Sequence, residues 1–393
     1  MELGRMTTMS ELPGDVVEEI LPKVPLTSLS ALRSTCKKWN SLSKNRIVGK
    51  AAAVRKQFLG FIMMDYRVCS MRFNLQGIGN DEEFVHPSIK QVGILDKIEI
   101  SNVFHCDGLL LCVLKDNSRL VVWNPYLGQT RWIQPRDSFH RLDRYALGYD
   151  KDRNHKILRI FADYEGRNQV FGYEVFSFRT DSWKAFHLTP DWDIESHQRG
   201  MSLKGNAYFL AQEKKLKVGR RKVEDFLLSF DFTRETFGPR LPLPIRSYEA
   251  DNFVSLSCVG EEQLAVLHQS WGICDVLEIC VTNKIDPDAV VWSKFLSSVS
   301  GFSVNPRAGS FFIDEEIKVA VVFDLDEDKG NETCRNQTAY IIGQDGYFKS
   351  VNVGEARNLG KPDKDGYTPR LYCRPLVCSY VPSLGQLQIN NKS

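Results

Sequence analysis

Seven histidines, His86, His105, His140, His155, His187, His197 and His268, are the first residues to weigh as chemistry. A local zinc site needs nitrogen or sulfur ligands at short spacings. No two of these histidines stand that way, no H-E-x-x-H occurs, and the cysteines form no C-x-x-C pair. There is no G-x-S-x-G nucleophile elbow, no phosphate-binding G-x-x-x-x-G-K-[ST] and no dinucleotide fingerprint. The acidic run Asp324-Leu325-Asp326-Glu327-Asp328 lacks the glycine and spacing of a calcium loop and reads as a solvated loop. These patterns lead us to expect no metal and no cofactor; they weigh against an enzyme without excluding one, since residues distant in sequence can converge.

Charge narrows the partners. With 51 Lys+Arg against 49 Asp+Glu, the chain has no general pull toward nucleic acid or anionic membrane. The densest basic run, Lys214 to Lys222, carries no interleaved aromatics for base stacking. It reads as a solvated hairpin loop, with a nuclear address or nucleic-acid patch as the alternative. No stretch reaches the roughly 18 apolar residues of a membrane span. Met1 to Glu11 hold no apolar core of a secretory signal. Several cysteines lie inside apolar runs, as in Leu111-Cys112-Val113, so reduced buried thiols and a cytoplasmic or nuclear location are expected.

The elements change near residue 55. Before it, Pro13 suits a first helical turn, and Asp15, Glu18 and Glu19 place negative charge at the positive end of the helix dipole. Val16, Val17, Ile20, Leu21 and Val24 make one apolar stripe before Pro22 and Pro25 end the helix. Leu26, Leu29 and Leu32 predict a second short helix, capped by Thr27 or Ser28, and Cys36, Trp39 and Leu42 a third. Three short helices bury too little to be very stable alone, so the stripe has a partner: another protein, or the rest of this chain.

Beyond about residue 57 the pattern is β, from Leu59–Met64 and Val68–Phe73 through Leu109–Leu114, Leu120–Trp123 and onward to Pro375–Val381. A unit recurs: strand, polar turn, strand with an aromatic. Its closing aromatics are Trp132, Trp183, Phe237, Trp292 and Phe348. Their spacing is a little above the roughly 40–50 residues of a propeller blade. Five units leave strands over at both ends, and pairing Leu59–Leu75 with Leu371–Ser383 makes a sixth blade and closes the ring. A pair of β-sandwiches or a seven-bladed ring is the alternative. Asp107-Gly108 and Asn124-Pro125 are turn chemistry, and Asp107-Gly108 suits a two-residue hairpin. The long polar connections Arg136–Arg144, Asp191–Gly200, Gln212–Glu224 and Asp324–Thr338 are candidate binding loops.

Leu12-Pro13-Gly14-Asp15-Val16-Val17-Glu18-Glu19-Ile20-Leu21, Val24-Pro25, Leu29, Leu32-Arg33 and Cys36-Lys37-Lys38-Trp39-Asn40 resemble an F-box. The remainder resembles the plant F-box-associated domain of type 1. Its marks are Cys106-Asp107-Gly108-Leu109-Leu110-Leu111-Cys112, Trp123-Asn124-Pro125-Tyr126-Leu127-Gly128-Gln129-Thr130-Arg131-Trp132-Ile133, Tyr145-Ala146-Leu147-Gly148-Tyr149-Asp150 and Tyr173-Glu174-Val175-Phe176-Ser177. Pro22 stands where the F-box pattern commonly has a small polar residue and is expected to shorten the first helix.

The resemblance implies an all-α F-box of three short helices over 6–55. A large β-propeller-like domain of six blades would follow over 56–385, and a flexible tail over 386–393. It implies a substrate-receptor subunit of an SCF ubiquitin ligase, bound through a Skp-type adaptor to a cullin, with ubiquitin transfer left to other subunits. Adaptor contacts are expected from Leu12, Pro13, Ile20, Leu21, Val24, Pro25 and Leu29, with Trp39 partly structural. A target protein is expected on the β domain, its identity and contact residues unknown, and neither membrane nor nucleic acid as partner. The alternative is a carbohydrate-binding or propeller-type enzyme domain with the helical module packed on its own chain.

Overall fold

The computed structural model describes most of residues 12–387. Outside the described residues lie 1–11, 22–23, 25–28, 47–56, 76–86, 96, 166–167, 195–197, 215–224, 245–252, 270–275, 300–301, 303, 305–309, 327–333, 361–363, 365–371 and 388–393. Three helices come first: α1 (Gly14–Ile20), α2 (Leu29–Thr35) and α3 (Lys37–Arg46). The expected cap of α2, Thr27 or Ser28, falls outside the described residues.

Six antiparallel sheets follow, and they form a ring of six blades. β1 (Gln57–Met64), β2 (Arg67–Asn74) and β3 (Ser88–Gln91) belong to a blade completed at the far end of the chain. Blade one holds β4 (Ile100–Cys106), β5 (Leu109–Leu114), β6 (Leu120–Asn124) and β7 (Gln129–Ile133). Blade two holds β8 (Arg144–Tyr149), β9 (His155–Glu165), β10 (Asn168–Ser177) and β11 (Ser182–Leu188). In blade three, β12 (Trp192–Asp193) and β13 (Met201–Leu203) both pair β14 (Asn206–Glu213), which continues to β15 (Asp225–Asp231) and β16 (Thr236–Leu241). Blade four holds β17 (Phe253–Val259), β18 (Gln263–Gln269), β19 (Val276–Asp286) and β20 (Ala289–Val299). Blade five holds β21 (Ser310–Asp314), β22 (Val319–Leu325), β23 (Cys334–Gly343) and β24 (Phe348–Arg357). Finally β25 (Leu376–Ser379) pairs β1, setting Gly60 opposite Ser379 and Met63 opposite Leu376, and the ring closes as the end strands predict.

Strands β4, β8, β13, β17, β21 and β25 lie side by side around the axis. Apolar packing falls between neighbouring blades. Phe104, Leu111 and Val122 of blade one meet Tyr145, Leu147 and Ile157 of blade two. Blades are covered on both faces, so a second strand such as Leu109–Leu114 is buried at every position and reads as an unbroken apolar run. Fourth strands are the outer edges, and β11 runs exposed and half-buried in turn.

The closing aromatics all lie on fourth strands, and four of them stitch a blade to the segment arriving from its predecessor. The Trp183 indole donates to the Gln134 carbonyl at 2.8 Å and Trp292 to that of Pro242 at 2.9 Å. Phe237 packs on Trp192 and Phe348 on Phe302, with ring centroids 5.0 and 5.7 Å apart.

The up-and-down meander sorts the connections. Turns from first to second and from third to fourth strands emerge at one end of the ring, and all others at the opposite end. Because β1 is a second strand, the helices feed into the first end, called here the helical end. The four candidate loops all belong to the second, the loop end.

Candidate functional site

The helical module is built around Trp39, fully buried, with Val17 and Leu21 against it. Pro13 precedes α1, its carbonyl accepting from the Val17 N–H at 3.1 Å, and Asp15 lies in the first turn. The helix stops at Ile20, just ahead of Pro22, as a proline there demands. In so short a helix, residues four apart share a face. Val17 and Leu21 therefore turn inward, while Val16 is 36% exposed and Ile20 half-buried. Leu12 and Val24 are half-buried and Pro13 is exposed. Lys38 of α3 donates to the Leu12 carbonyl and fixes the approach to α1.

The predicted contact set thus divides. Pro13 is exposed, while Leu12, Ile20 and Val24 are half-buried and pack against the Trp39 cluster with part of their surface open. Leu21, 3% exposed, and Trp39, expected to be partly structural, are buried inside the chain. Pro25 lies outside the described residues, and of Leu29 only the backbone in α2 is described. Val16, which the sequence reading placed in the stripe without naming it a contact, is the most exposed apolar side chain of α1.

What seals the inner face is partly the propeller. Tyr126, from the turn between β6 and β7, is fully buried in the same cluster, and Leu127 packs beside it. Arg33 of α2 lies 3.9 Å over the Tyr126 ring, donates to the Tyr126 carbonyl, and donates from Nε to Ser43 Oγ at 2.8 Å. The Tyr126 hydroxyl in turn donates to the Ser43 carbonyl. Burial pushes the Arg33 guanidinium below and the Tyr126 phenol above their ordinary ranges. Arg72 of β2 adds a bond to the Val24 carbonyl at 3.2 Å.

The turn carrying Tyr126 is itself clamped. Asn124 Oδ1 accepts from the Leu127 N–H at 2.9 Å, and its Nδ2 donates to the Gly385 carbonyl at 2.8 Å. Gly128, at φ +69°, closes the turn with an N–H bond to the Asn124 carbonyl at 2.8 Å. The same i→i+4 bond recurs from Asp181 to Ser177 and from Glu235 to Asp231. Asn124-Pro125 therefore is turn chemistry. Asp107 and Gly108, both at positive φ, make the expected two-residue hairpin. The tail is corrected: Leu387 is buried, and its N–H bonds to Gln129 Oε1 at 3.2 Å, so residues 386–387 belong to the fold.

At the loop end, connection 134–143 is rooted by charge. Arg159 pairs with Asp143 at 2.7 Å and Glu174 at 2.9 Å, all three nearly buried, and Arg136 reaches Glu174 at 3.2 Å. Beyond this root Leu142 is 46% exposed. Of the other candidate loops, residues 195–197, 215–224 and 327–333 lie outside the described residues, as does most of the basic run.

No group of three or more His, Cys, Asp or Glu among the described residues is placed to hold a metal ion. The closest approach to catalytic furniture is at the helical end, where His155 Nε2 lies 3.2 Å from Asp107 beside a cavity of about 310 Å³. Burial pushes the Asp107 carboxyl up, but the His155 bond and the charges of His155 and Arg153 outweigh it and hold it below its ordinary range. His105 is pushed down to about 4 by burial.

The chain is thus a six-bladed propeller with a short helical module joined to one end and long loops at the other. A model described as the F-box domain matches residues 9–50, and one described as the F-box associated beta propeller domain matches 59–387. The chain belongs to the F-box proteins that carry this propeller. It is 66% identical over 391 residues to the F-box/kelch-repeat protein At3g13680 of Arabidopsis thaliana, covering 98% of each. It is 63% identical to the putative F-box protein At3g13624 of the same plant, over 98% of this chain and 97% of that one. Among solved structures, the AofleA mutant from Arthrobotrys oligospora is similar at a TM-score of 0.40 and 10% identity, covering 81% of this chain and 84% of that one.

Proposed function

We propose that this chain is the target-recruiting subunit of an SCF ubiquitin ligase. Its helical module docks on a Skp-type adaptor, and through it a cullin, while the loop end of the ring holds a protein for ubiquitination. The observation that carries this reading is the split of the apolar stripe. Val17 and Leu21 are buried with Trp39 and Tyr126, while Val16 and Pro13 stay exposed and Leu12, Ile20 and Val24 are covered only in part. An apolar surface on an anchored, preorganised module suits a permanent partner. Pro25 and Leu29 join this surface in the same reading.

The topology supports the division of labour: adaptor and target would sit at opposite ends of the ring and not compete for space. Ubiquitin transfer is left to other subunits. Cytosol or nucleus is the place of action, in keeping with thiol-bearing strands. The test is capture of the full chain by an immobilised Skp-type adaptor. Leu12→Ala with Pro13→Ala is expected to abolish capture without moving the thermal transition of the ring. Full capture by the double variant would overturn the assignment.

A further inference from the structure

Trp132 breaks the rule kept by the other closing aromatics. Trp183, Phe237, Trp292 and Phe348 each rest on the segment arriving from the preceding blade. Trp132 stands opposite Val121, which packs between blades one and six, so its ring looks toward blade six. There the Arg119 guanidinium lies over it, 4.3 Å from the ring centre, and Trp132 stays 39% exposed. Contact with a ring face uses none of the guanidinium N–H groups. Among the described residues Arg119 makes no ion pair and donates no side-chain hydrogen bond. Asp116 lies near enough to feel its charge, but Asp116 Oδ1 is engaged by the Ser118 N–H and hydroxyl at 3.0 and 2.8 Å. Arg131 and Arg159, by contrast, are answered by carboxylates at 2.7 Å. Arg119 is therefore held in place with its donors unspent.

The mounting is firm. Arg119 ends the turn 115–119 and Lys115 begins it, the ammonium 3.9 Å over the Tyr66 ring and 3.2 Å from Glu99. The Asn117 N–H bonds to the Leu114 carbonyl at 3.0 Å, and the Lys115 N–H to that of Glu99 at 2.9 Å. The Tyr66 carbonyl accepts from the Ile100 N–H at 2.8 Å, and Arg67 donates to the Ile98 carbonyl at 3.2 Å. Turn 65–66, segment 98–100 and turn 115–119 thus form one hydrogen-bonded shelf across blades six and one, at the loop end. A group presented on such a shelf loses little freedom on binding.

We infer that Arg119 and Trp132 are the docking point for an acidic side chain of the recruited polypeptide, with an apolar neighbour packing on the open part of the indole. This rests on the reading of the chain as a target-recruiting subunit and names the partner chemistry of its loop end. A guanidinium takes a carboxylate through two parallel N–H bonds. Arginine and tryptophan are also among the side chains that most often carry the energy of a protein interface. A nucleic-acid strand fits poorly. Four cations, Arg67, Lys97, Lys115 and Arg119, stand against three acids, Asp65, Glu99 and Asp116. So small a surplus suits one carboxylate and not a run of phosphates.

The test passes short random peptide pools over the full chain, immobilised through an N-terminal tag. One pool carries Asp and Glu among apolar residues, a second carries Asn and Gln in their place, and single-stranded RNA is the third probe. The acidic pool is expected to be retained about tenfold over the amide pool. Arg119→Gln should remove that excess, Arg119→Lys should keep part of it, and Trp132→Leu should lower it severalfold. Lys284→Gln, which removes a positive charge at the opposite end of the ring, should leave it unchanged. Equal retention of the two peptide pools, an excess that survives Arg119→Gln, or an equal loss from Lys284→Gln would overturn the inference. So would RNA held more strongly than the acidic pool and released by Arg119→Gln. The same variant should leave adaptor capture intact and the melting temperature within about 2 °C. A larger fall would assign the pair to the fold and sink the site. Failure here with adaptor capture preserved leaves the parent reading standing, whereas failure of the wild-type chain to be captured strikes that reading.

Discussion

The helical end and the loop end of the ring both enclose an arginine beside a connection, and they secure it in different ways. At the helical end Arg33 meets an aromatic face, a carbonyl and a serine hydroxyl, and the turn supplying the first two is clamped by Asn124 and the segment 381–387. Every member of that joint is fixed by another. At the loop end Arg159 sits between Asp143 and Glu174, and past this root the chain runs out to exposed Leu142. One end sets an orientation and the other offers surface. A receptor needs both, because variation in loops leaves a rigid scaffold undisturbed.

The sharpest way to break this contrast is Trp39→Ala. Removing the buried indole should destabilise the helical module by about 3–5 kcal/mol. Limited proteolysis should then release the helices while the ring's thermal transition stays in place. A ring that melts with them would show that the two ends are not separate. Asp143→Ala strikes the other end and should lower ring stability in denaturant by about 3 kcal/mol, since Arg159 keeps only Glu174 at close range. Adaptor capture should be unaffected.

Acid should act through His105, which burial holds at about 4 against an ordinary 6.5. Its folded pKa is depressed, so between these values the unfolded chain binds the proton better. Stability present above pH 6.5 is therefore lost as pH falls toward 4, by about 2–3 kcal/mol, and His105→Asn should flatten that slope in urea titrations across pH. Smallest is Arg240→Gln at the loop end. Its partners Asp191 and Glu213, at 2.7 and 2.8 Å, are exposed, and the change should stay within about 0–1 kcal/mol in a thermal melt.

Much of the ring was legible because second and third strands are buried on both faces and read as apolar runs, and because one aromatic closes each repeat. The innermost strands were mostly hidden. β13 has three residues, and β4 slips register between Ile100 and Asn102, which breaks any period of two. Fourth strands such as β16 and β24 are polar outer edges, and only their aromatics betrayed them. At the helical module, spacing gave the stripe but could not tell Val16 from Val17. Which of them faces outward is decided by Tyr126, whose pairing with Arg33 joins residues 93 apart and leaves no local mark.

The pairing of β25 with β1 also bears on how the protein is made. β25 lines the axis of a blade whose other three strands precede it in the chain by about 300 residues and are synthesised before it. A chain cut short before Leu376 would carry intact helices yet present β1 as a bare hydrogen-bonding edge, ready to pair with a stranger. A copy lacking β25 would thereby be marked for aggregation before it could occupy a partner unproductively.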